Sequence, residues 1–190
     1  GIFATINSDL SKKNLKLNLL KMRHRGPDFQ SDLYIKNIYL GHNRLSIIDL
    51  NKRSNQPFTY NKYHIVYNGE VYNYKELINN HNLDISTMSD TEVVLKMYIK
   101  YGAKCLDYFN GMFAFVIYNE NSGDVFVARD RLGIKPLYYA NHNGSIIFSS
   151  EIAPIQNIVN SDFDDFGIRQ YRKFRMTFKG YTIYKQIKMF

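Results

Sequence analysis

The sequence of 190 residues has a single cysteine, four prolines and no tryptophan. One cysteine, Cys105, excludes an internal disulfide framework and any metal site built from several cysteines. The five histidines lack the HxxxH or HxH spacing of a metal site, and no glycine-rich phosphate loop occurs. No apolar run approaches the roughly 20 residues that span a bilayer, and no secretory leader opens the chain. We therefore expect a cytoplasmic protein with no membrane contact and no metal site in this domain.

Basic residues are abundant, and the formal net charge is +8 at pH 7. A charge of this sign can indicate nucleic-acid binding when the basic residues form one stripe or block. Here the lysines and arginines are scattered over the whole sequence, and no nucleic-acid-binding motif accompanies them. We therefore predict that nucleic acid is not a partner.

Local patterns in the first half predict alternating strands and helices. The β-branched run 2–6 predicts a core strand close to the start of the chain. Leucines spaced along residues 10–20 predict a helix. Capping-box spacing predicts helix starts at Asn73 and Ser89, and Gly102 is expected to end the second of these helices.

The second half alternates apolar runs with turns rich in Asn and Gly, which predicts two consecutive hairpins over residues 112–130 and 136–150. Pro154 is expected to break the short helix that follows, and Cys105 is predicted to be a buried packing residue. The runs FAFVIY and DVFVA are apolar on both strand faces, which indicates sheets covered on both sides. We therefore predict an α+β protein with antiparallel sheets in a layered sandwich.

The dipeptide Asn68-Gly69 admits two interpretations. Asn-Gly between apolar runs is a strong hairpin signal, and the dipeptide alone favours a type I′ turn. Very few residues follow before the next helix start, however, which leaves little room for a return strand. A strand that ended here would present a side-chain amide beside a backbone N–H, which are the donors of an oxyanion hole.

Arg44 and Asp90 also have two interpretations each. Arg44 lies at the end of a predicted strand and could pair with Asp49, or could bind a substrate carboxylate with two parallel hydrogen bonds. Asp90 lies at the first helical position, where the helix dipole favours a carboxylate, but it could equally hold a substrate ammonium group. These stretches alone do not decide between the alternatives.

Long motifs that occur in a fixed order resemble one known family. The motifs are MRHRGPD, GHNRLSIIDL, NQP, YNGEVYNYKEL, SDTEVVL, YGAKCLDYFNGMFAFVIY, ARDRLGIKPLYY and FSSEI. They resemble the glutaminase half of glutamine-dependent asparagine synthetases, a class II glutamine amidotransferase domain. The resemblance covers essentially the whole chain. It implies the N-terminal-nucleophile hydrolase fold, a four-layer αββα sandwich with two mainly antiparallel sheets.

The resemblance also implies the site residues. In that family an N-terminal Cys attacks the side-chain amide of glutamine, with its own α-amino group as the base. The oxyanion donors of the family correspond to Asn68 and Gly69. The Arg that binds the substrate carboxylate corresponds to Arg44, and the acids that bind the ammonium group correspond to Glu70 and Asp90. No cofactor is implied for this domain.

The chain departs from the family pattern at its beginning, because Gly1 stands where the family has Cys followed by Gly. We therefore expect the nucleophilic Cys immediately before Gly1. Residues 1–159 are predicted to form the amidotransferase domain. Residues 160–190 are predicted to end it and to begin a connector to an ATP-dependent synthetase domain, where ATP and Mg are expected.

The main functional hypothesis is a glutaminase that supplies ammonia for the amidation of an acid, with aspartate as the simplest acceptor. Glutamine and the synthetase domain are the expected partners, and a homodimer is also considered. One alternative is an inactive amidotransferase-like domain that binds glutamine as a sensor or partner module. Another is the same chemistry with a different acceptor, such as a sugar acid.

Overall fold

The computed structural model describes residues 1–46, 49 and 51–190. Within these residues the strands are β1 (Ile2–Ile6), β2 (Phe29–Ile35), β3 (Ile38–Arg44), β4 (Phe58–Tyr60), β5 (Tyr63–Val71), β6 (Gly111–Asn119), β7 (Val125–Arg129), β8 (Tyr138–His142), β9 (Ser145–Ser149) and β10 (Lys188–Met189). The α-helices are α1 (Lys12–Leu20), α2 (Tyr74–Asn80), α3 (Asp90–Tyr101), α4 (Ile152–Val159) and α5 (Asp165–Phe174). Short 3₁₀ helices span Arg23–Arg25, Lys52–Ser54 and Gly102–Tyr108.

The strands form two sheets, and every paired neighbour is antiparallel. The larger sheet has the strand order β10-β8-β9-β1-β3-β2, and the smaller has the order β4-β5-β6-β7. An apolar core joins the inner faces of the two sheets and includes Ile2, Ala4, Leu40, Val66 and Val116. The strand predicted at the start of the chain is therefore confirmed as β1, which lies between β9 and β3.

Helices cover the outer face of each sheet. Leu15 and Leu19 of α1 pack with Ile155 of α4 over the larger sheet. Leu77 of α2 and Val93 of α3 belong to the cluster that covers the smaller sheet. The four layers confirm the predicted αββα arrangement, and they explain why the central strands are apolar on both faces.

The helix boundaries show which local signals were reliable. Ser89 caps α3 by accepting a hydrogen bond from the N–H of Thr91 at 3.2 Å, and Gly102, with φ of +59°, ends the helix as predicted. The helix start predicted at Asn73 is confirmed, since α2 begins at Tyr74, but the Asn73 side chain does not cap it and instead donates to the Tyr108 carbonyl at 2.9 Å. The break predicted at Pro154 is also wrong. Proline is tolerated in the first turn of α4, where the helix needs no N–H from it.

The structure also tests the hairpins and the buried cysteine that the second half of the sequence predicts. Both predicted hairpins are confirmed as β6–β7 and β8–β9. Cys105 is fully buried, and burial raises the pKa of its thiol to about 12.

No helix in the part of the chain that the structure describes is long and apolar enough to cross a membrane. Among those same residues, no cluster of His, Cys, Asp and Glu could hold a metal ion.

Candidate active site

A polar cavity of about 360 Å³ opens beside the start of β1, the end of β3, the β5 edge and the start of α3. Arg44, Asn68, Gly69 and Asp90, all predicted as site residues, line it together. Glu70 is not among the described lining residues; it is half-buried, and its charge acts on the nearby carboxyl of Asp90.

The start of β1 forms one wall of this cavity. The nitrogen of Gly1 donates a hydrogen bond to the Asn43 carbonyl at 2.6 Å, and the N–H of Asn43 donates to the Gly1 carbonyl at 2.9 Å. The N–H of Ile2 is held by the hydroxyl of Ser150 at 2.9 Å. The backbone of Gly1 and Ile2 is therefore held against β3 and Ser150.

Strand alternation directs the N–H of Gly69 away from β6. Gly69 lies opposite Phe113, but the N–H and carbonyl of Phe113 both bond to Asp130, on the far side of β6. In an antiparallel pair, a residue whose partner bonds elsewhere also points its own backbone groups outward. The N–H of Gly69 therefore lies at the outer edge of β5.

The same edge carries the N–H groups of Tyr67 and Val71, and side chains cap both. The N–H of Tyr67 donates to Gln56 Oε1 at 2.6 Å, and that of Val71 donates to Asp90 Oδ2 at 3.0 Å. Strand β4 has already ended, since its pairing with β5 covers only Tyr63 to Ile65 of that strand. Gly69 lies between Tyr67 and Val71 on this edge, and the edge at Gly69 faces the cavity.

The side chain of Asn68 adds a second donor beside this backbone N–H. Its Nδ2 atom is buried and has no hydrogen-bond partner among the described residues, although Asn68 lines the cavity. Leaving a buried amide N–H unpaired costs about 1–3 kcal/mol. A ligand oxygen bound between this amide and Gly69 would remove that cost.

Arg44 lies at the last position of β3, and the segment that follows holds its guanidinium group. Its Nη1 donates to the Asn51 carbonyl at 3.1 Å and to Asn55 Oδ1 at 2.6 Å. Its Nη2 donates to the backbone carbonyl of Asp49. The side-chain pair between Arg44 and Asp49, considered from the sequence, is therefore wrong. No described residue bonds to the Nε–H or to the second Nη2–H, and these two donors could form a fork for a carboxylate.

Asp90 is a buried carboxylate at the start of α3. Its Oδ2 accepts a hydrogen bond from the Tyr67 hydroxyl at 2.6 Å and from the N–H of Val71 at 3.0 Å. Burial raises the pKa of the Asp90 carboxyl, and the negative charge of Glu70 raises it further. Both contacts use Oδ2, so Oδ1 can accept from a ligand cation.

Comparison with known proteins identifies the family of this chain. A family model described as the glutamine amidotransferase domain matches residues 1–190. The chain belongs to the glutamine amidotransferase domain family. The structure of the glutamine phosphoribosylpyrophosphate amidotransferase from Bacillus subtilis superposes with a TM-score of 0.72 over 84% of this chain and 43% of that one, at 19% identity. This likeness confirms the predicted N-terminal-nucleophile hydrolase fold.

Curated relatives extend the comparison within the amidotransferase family. A Methanocaldococcus jannaschii protein assigned as a glutamine-hydrolysing asparagine synthetase is 42% identical over 171 residues, covering 79% of this chain and 32% of that protein. The glutamine-hydrolysing asparagine synthetase 1 of Bacillus subtilis is 37% identical over 171 residues, covering 87% of this chain and 27% of that enzyme. The chain thus spans at most 32% of the length of these two relatives.

The structure of this amidotransferase domain corrects the local interpretation of Asn68-Gly69. The type I′ turn is wrong, and so is the expectation that the strand ends there, because β5 continues through Val71. Glycine is required at 69, because a Cβ atom there would lie 2.3 Å from the Met112 carbonyl oxygen. The same holds at Gly111, where a Cβ atom would lie 2.2 Å from the Glu70 carbonyl oxygen. Asn-Gly therefore marks a close approach of two strands at an open edge.

Replacing Gly69 with Ala should destabilise the amidotransferase domain by about 1–3 kcal/mol, because the added methyl group forces β5 and β6 apart. Chemical denaturation measures this loss. Gly111→Ala is the matched control, since it strains the same strand pair from outside the cavity. We expect similar destabilisation by both changes but a loss of glutamine binding only for Gly69→Ala. A Gly69→Ala protein as stable as the parent would contradict the close approach.

Several cavity residues were not predicted as site residues. Gln56 links two walls, because its Oε1 accepts from the N–H of Tyr67 and its Nε2 donates to the Thr91 hydroxyl at 3.2 Å. His42 is buried in the lining, and burial holds the pKa of its imidazole well below the usual range. The motif NQP contained Gln56, but nothing local to it indicated contact with β5.

Proposed function

We propose that this domain hydrolyses glutamine and that the whole protein uses the released ammonia to amidate aspartate. Asn68 Nδ2 and the Gly69 N–H would hold the oxyanion, and Arg44 would bind the α-carboxylate of glutamine. Asp90 would hold the α-ammonium group, with the nearby negative charge of Glu70 contributing. The observation that carries this proposal is the buried amide of Asn68, which has no partner among the described residues and lies beside an open strand edge.

The proposed nucleophile is a Cys immediately before Gly1. The α-amino group of that Cys acts as the base. Its sulfur adds to the side-chain carbonyl carbon of glutamine, and the oxygen takes the negative charge between Asn68 and Gly69. The base, which has taken the proton of the thiol, gives it to the departing nitrogen as the intermediate collapses, so that ammonia leaves and a thioester remains. Water then hydrolyses the thioester to glutamate and restores the thiol. The position of Gly1 on the cavity wall supports this arrangement.

The proposal for the whole protein comes from the relatives. Those compared above are named as glutamine-hydrolysing asparagine synthetases, and they extend well beyond the matched region. We propose that ATP and Mg serve a synthetase domain elsewhere in the protein, and that none of the chemistry of residues 1–159 needs a cofactor. Residues 160–190 would end the amidotransferase domain and begin the connector. The pairing of β10 with β8 supports the first of these roles.

Whole protein incubated with glutamine, ATP, Mg and aspartate should form asparagine in proportion to the glutamate released. Glutamate without asparagine would retain the glutaminase but indicate another acceptor, such as a sugar acid. Glutamine binding without release of glutamate would favour an inactive binding module. Absence of binding would contradict the proposal as a whole.

Asp90→Asn should weaken glutamine binding about 10- to 100-fold, because it removes the charge that pairs with the substrate ammonium group while keeping the side-chain size. In the parent, affinity should also fall as the pH is lowered, because a protonated Asp90 cannot pair with a cation. Since the pKa of Asp90 is raised, this fall should begin at a higher pH than for an exposed Asp. Calorimetric titration with glutamine at several pH values measures both effects.

The Asp90→Asn variant should lose the part of the pH dependence that comes from this carboxyl. Asp165→Asn is a suitable control, because Asp165 is an exposed acid in the first turn of α5. Unchanged affinity in Asp90→Asn would restore the interpretation of Asp90 as a residue that only stabilises the helix start.

A further inference from the structure

Asp49 is a buried carboxylate to which the proposed chemistry assigns no role. It lines the cavity, yet its exposed fraction is only 5%. Its Oδ1 accepts a hydrogen bond from the N–H of Asn51 at 2.9 Å, and its Oδ2 accepts from the Ser54 hydroxyl at 2.7 Å. Its backbone carbonyl accepts from Arg44. Asp49 therefore shapes the segment whose carbonyl and amide oxygens hold the Arg44 guanidinium.

The same carboxylate also reaches the segment in front of α3. Its Oδ2 accepts from the N–H of Met88 at 3.1 Å, two residues before Asp90. Arg53 provides a second link: its Nε lies 3.5 Å from Asp49 Oδ2, and its Nη1 donates to the Ser86 carbonyl at 3.1 Å. The segments that carry Arg44 and Asp90 are therefore joined through one buried side chain.

The hydrogen bonds that the Asp49 carboxylate accepts suit a rigid connection between these two segments. Hydrogen bonds hold the pKa of the Asp49 carboxyl well below its usual range, and that from the Asn51 N–H is the largest cause. These hydrogen bonds therefore favour the ionised form of the Asp49 carboxyl. Hydrogen bonds to an ionised group are about twice as strong as those between neutral groups.

We propose that Asp49 is a positioning residue that fixes the separation between Arg44 and Asp90, so that the α-carboxylate and the α-ammonium group of the amino acid are bound at the same time. The inference rests on the proposed function, because it takes Arg44 and Asp90 as the groups that bind the carboxylate and ammonium of glutamine. A fixed separation favours a ligand that contacts both residues, since less freedom is lost on binding. A ligand that contacts only Arg44 gains nothing from it.

Asp49→Asn tests this idea with a side chain of nearly the same size. An amide oxygen can still accept from the N–H of Asn51, but an NH₂ group in place of Oδ2 can accept from neither Ser54 nor Met88. We expect the affinity for L-glutamine to fall about 10- to 100-fold. The affinity for glutaramate, which is glutamine without its α-amino group, should fall less than about 3-fold. Titration calorimetry of the chain with each ligand gives this ratio.

Leu77→Ala is the control for lost stability, because it opens a cavity in the core under α2, away from the site. It should leave the ratio of the two affinities unchanged. Arg53→Ala cuts the exposed link to Ser86 and keeps the buried carboxylate, so it should shift the ratio in the same direction by a smaller factor.

If Asp49→Asn lowered the affinities for both ligands equally, or if Leu77→Ala shifted the ratio of the two affinities by the same factor, the positioning role would be overturned. An unchanged ratio in both Asp49→Asn and Arg53→Ala would also overturn it. Failure of the proposed function is a separate result, since the parent chain would then bind no glutamine at all. The inference would fall with it.

Discussion

Asn68→Ala, made in the form of the protein that carries Cys before Gly1, should lower kcat for glutamine hydrolysis about 100- to 1000-fold. The KM should change little, because the amide donates to an oxygen that becomes fully charged only as the sulfur adds. The physical basis is the buried Nδ2 atom, which has no partner among the described residues and is already in place before the substrate arrives. Steady-state measurement of glutamate release separates kcat from KM.

Two further variants sharpen this test. Asn68→Asp keeps the side-chain size but replaces a donor with a negative charge, so its kcat should fall at least as far as that of Asn68→Ala. Asn73→Ala is the matched control, because the Asn73 amide is engaged by Tyr108 and Asn110 outside the cavity. Equal losses in kcat and in affinity for Asn68→Ala would contradict the oxyanion role.

Arg44→Lys should weaken glutamine binding roughly 100-fold or more, although the charge is retained. A lysine ammonium cannot offer the planar pair of N–H groups that fits a carboxylate, nor can it keep all the contacts with Asn51 and Asn55. The loss should be confined to ligands with an α-carboxylate. Competition binding with 4-aminobutanamide, which lacks that group, should show little change.

Arg172→Lys is the control for this substitution, because Arg172 is exposed on α5. If Arg44→Lys weakened the binding of 4-aminobutanamide as much as the binding of glutamine, Arg44 would be a structural residue rather than the carboxylate-binding group.

The sequence predicts the layers of this fold well, because burial on both strand faces leaves a direct signal. Runs such as that of β6 contain few polar residues, and the structure places them between a second sheet and a helical layer. The N-cap at Ser89 was also predictable, since its hydrogen bond joins residues two apart in the chain. Signals of this kind depend on near neighbours alone.

The site could be predicted only in part, since its geometry depends on distant strands. Whether Asn68-Gly69 forms a turn or an open edge depends on where β4 ends and on how Phe113 bonds to Asp130. The contact of Gln56 with Tyr67 likewise joins residues 11 apart that no periodic pattern relates. Resemblance to a family indicated the residues, but not the strand edge on which they act.

The resemblance also left the role of Glu70 as a prediction. Glu70 follows Gly69 directly, yet the described cavity wall does not include it. Its negative charge adds to the rise in the pKa of Asp90, which is compatible with the proposed role beside the ammonium group. Asp49 shows the opposite case: it seemed a simple partner for Arg44, but its carboxylate bonds to Asn51, Ser54 and Met88 instead.

Release of glutamate from L-glutamine tests the central claim most directly. The protein that carries Cys directly before Gly1 should release glutamate and ammonia in equal amounts, and replacing that Cys with Ala should abolish release while glutamine still binds. Calorimetry on the same samples confirms that the cavity is occupied. If the Cys-bearing protein binds glutamine but releases no glutamate, the account of this cavity as a glutamine-hydrolysing site is contradicted.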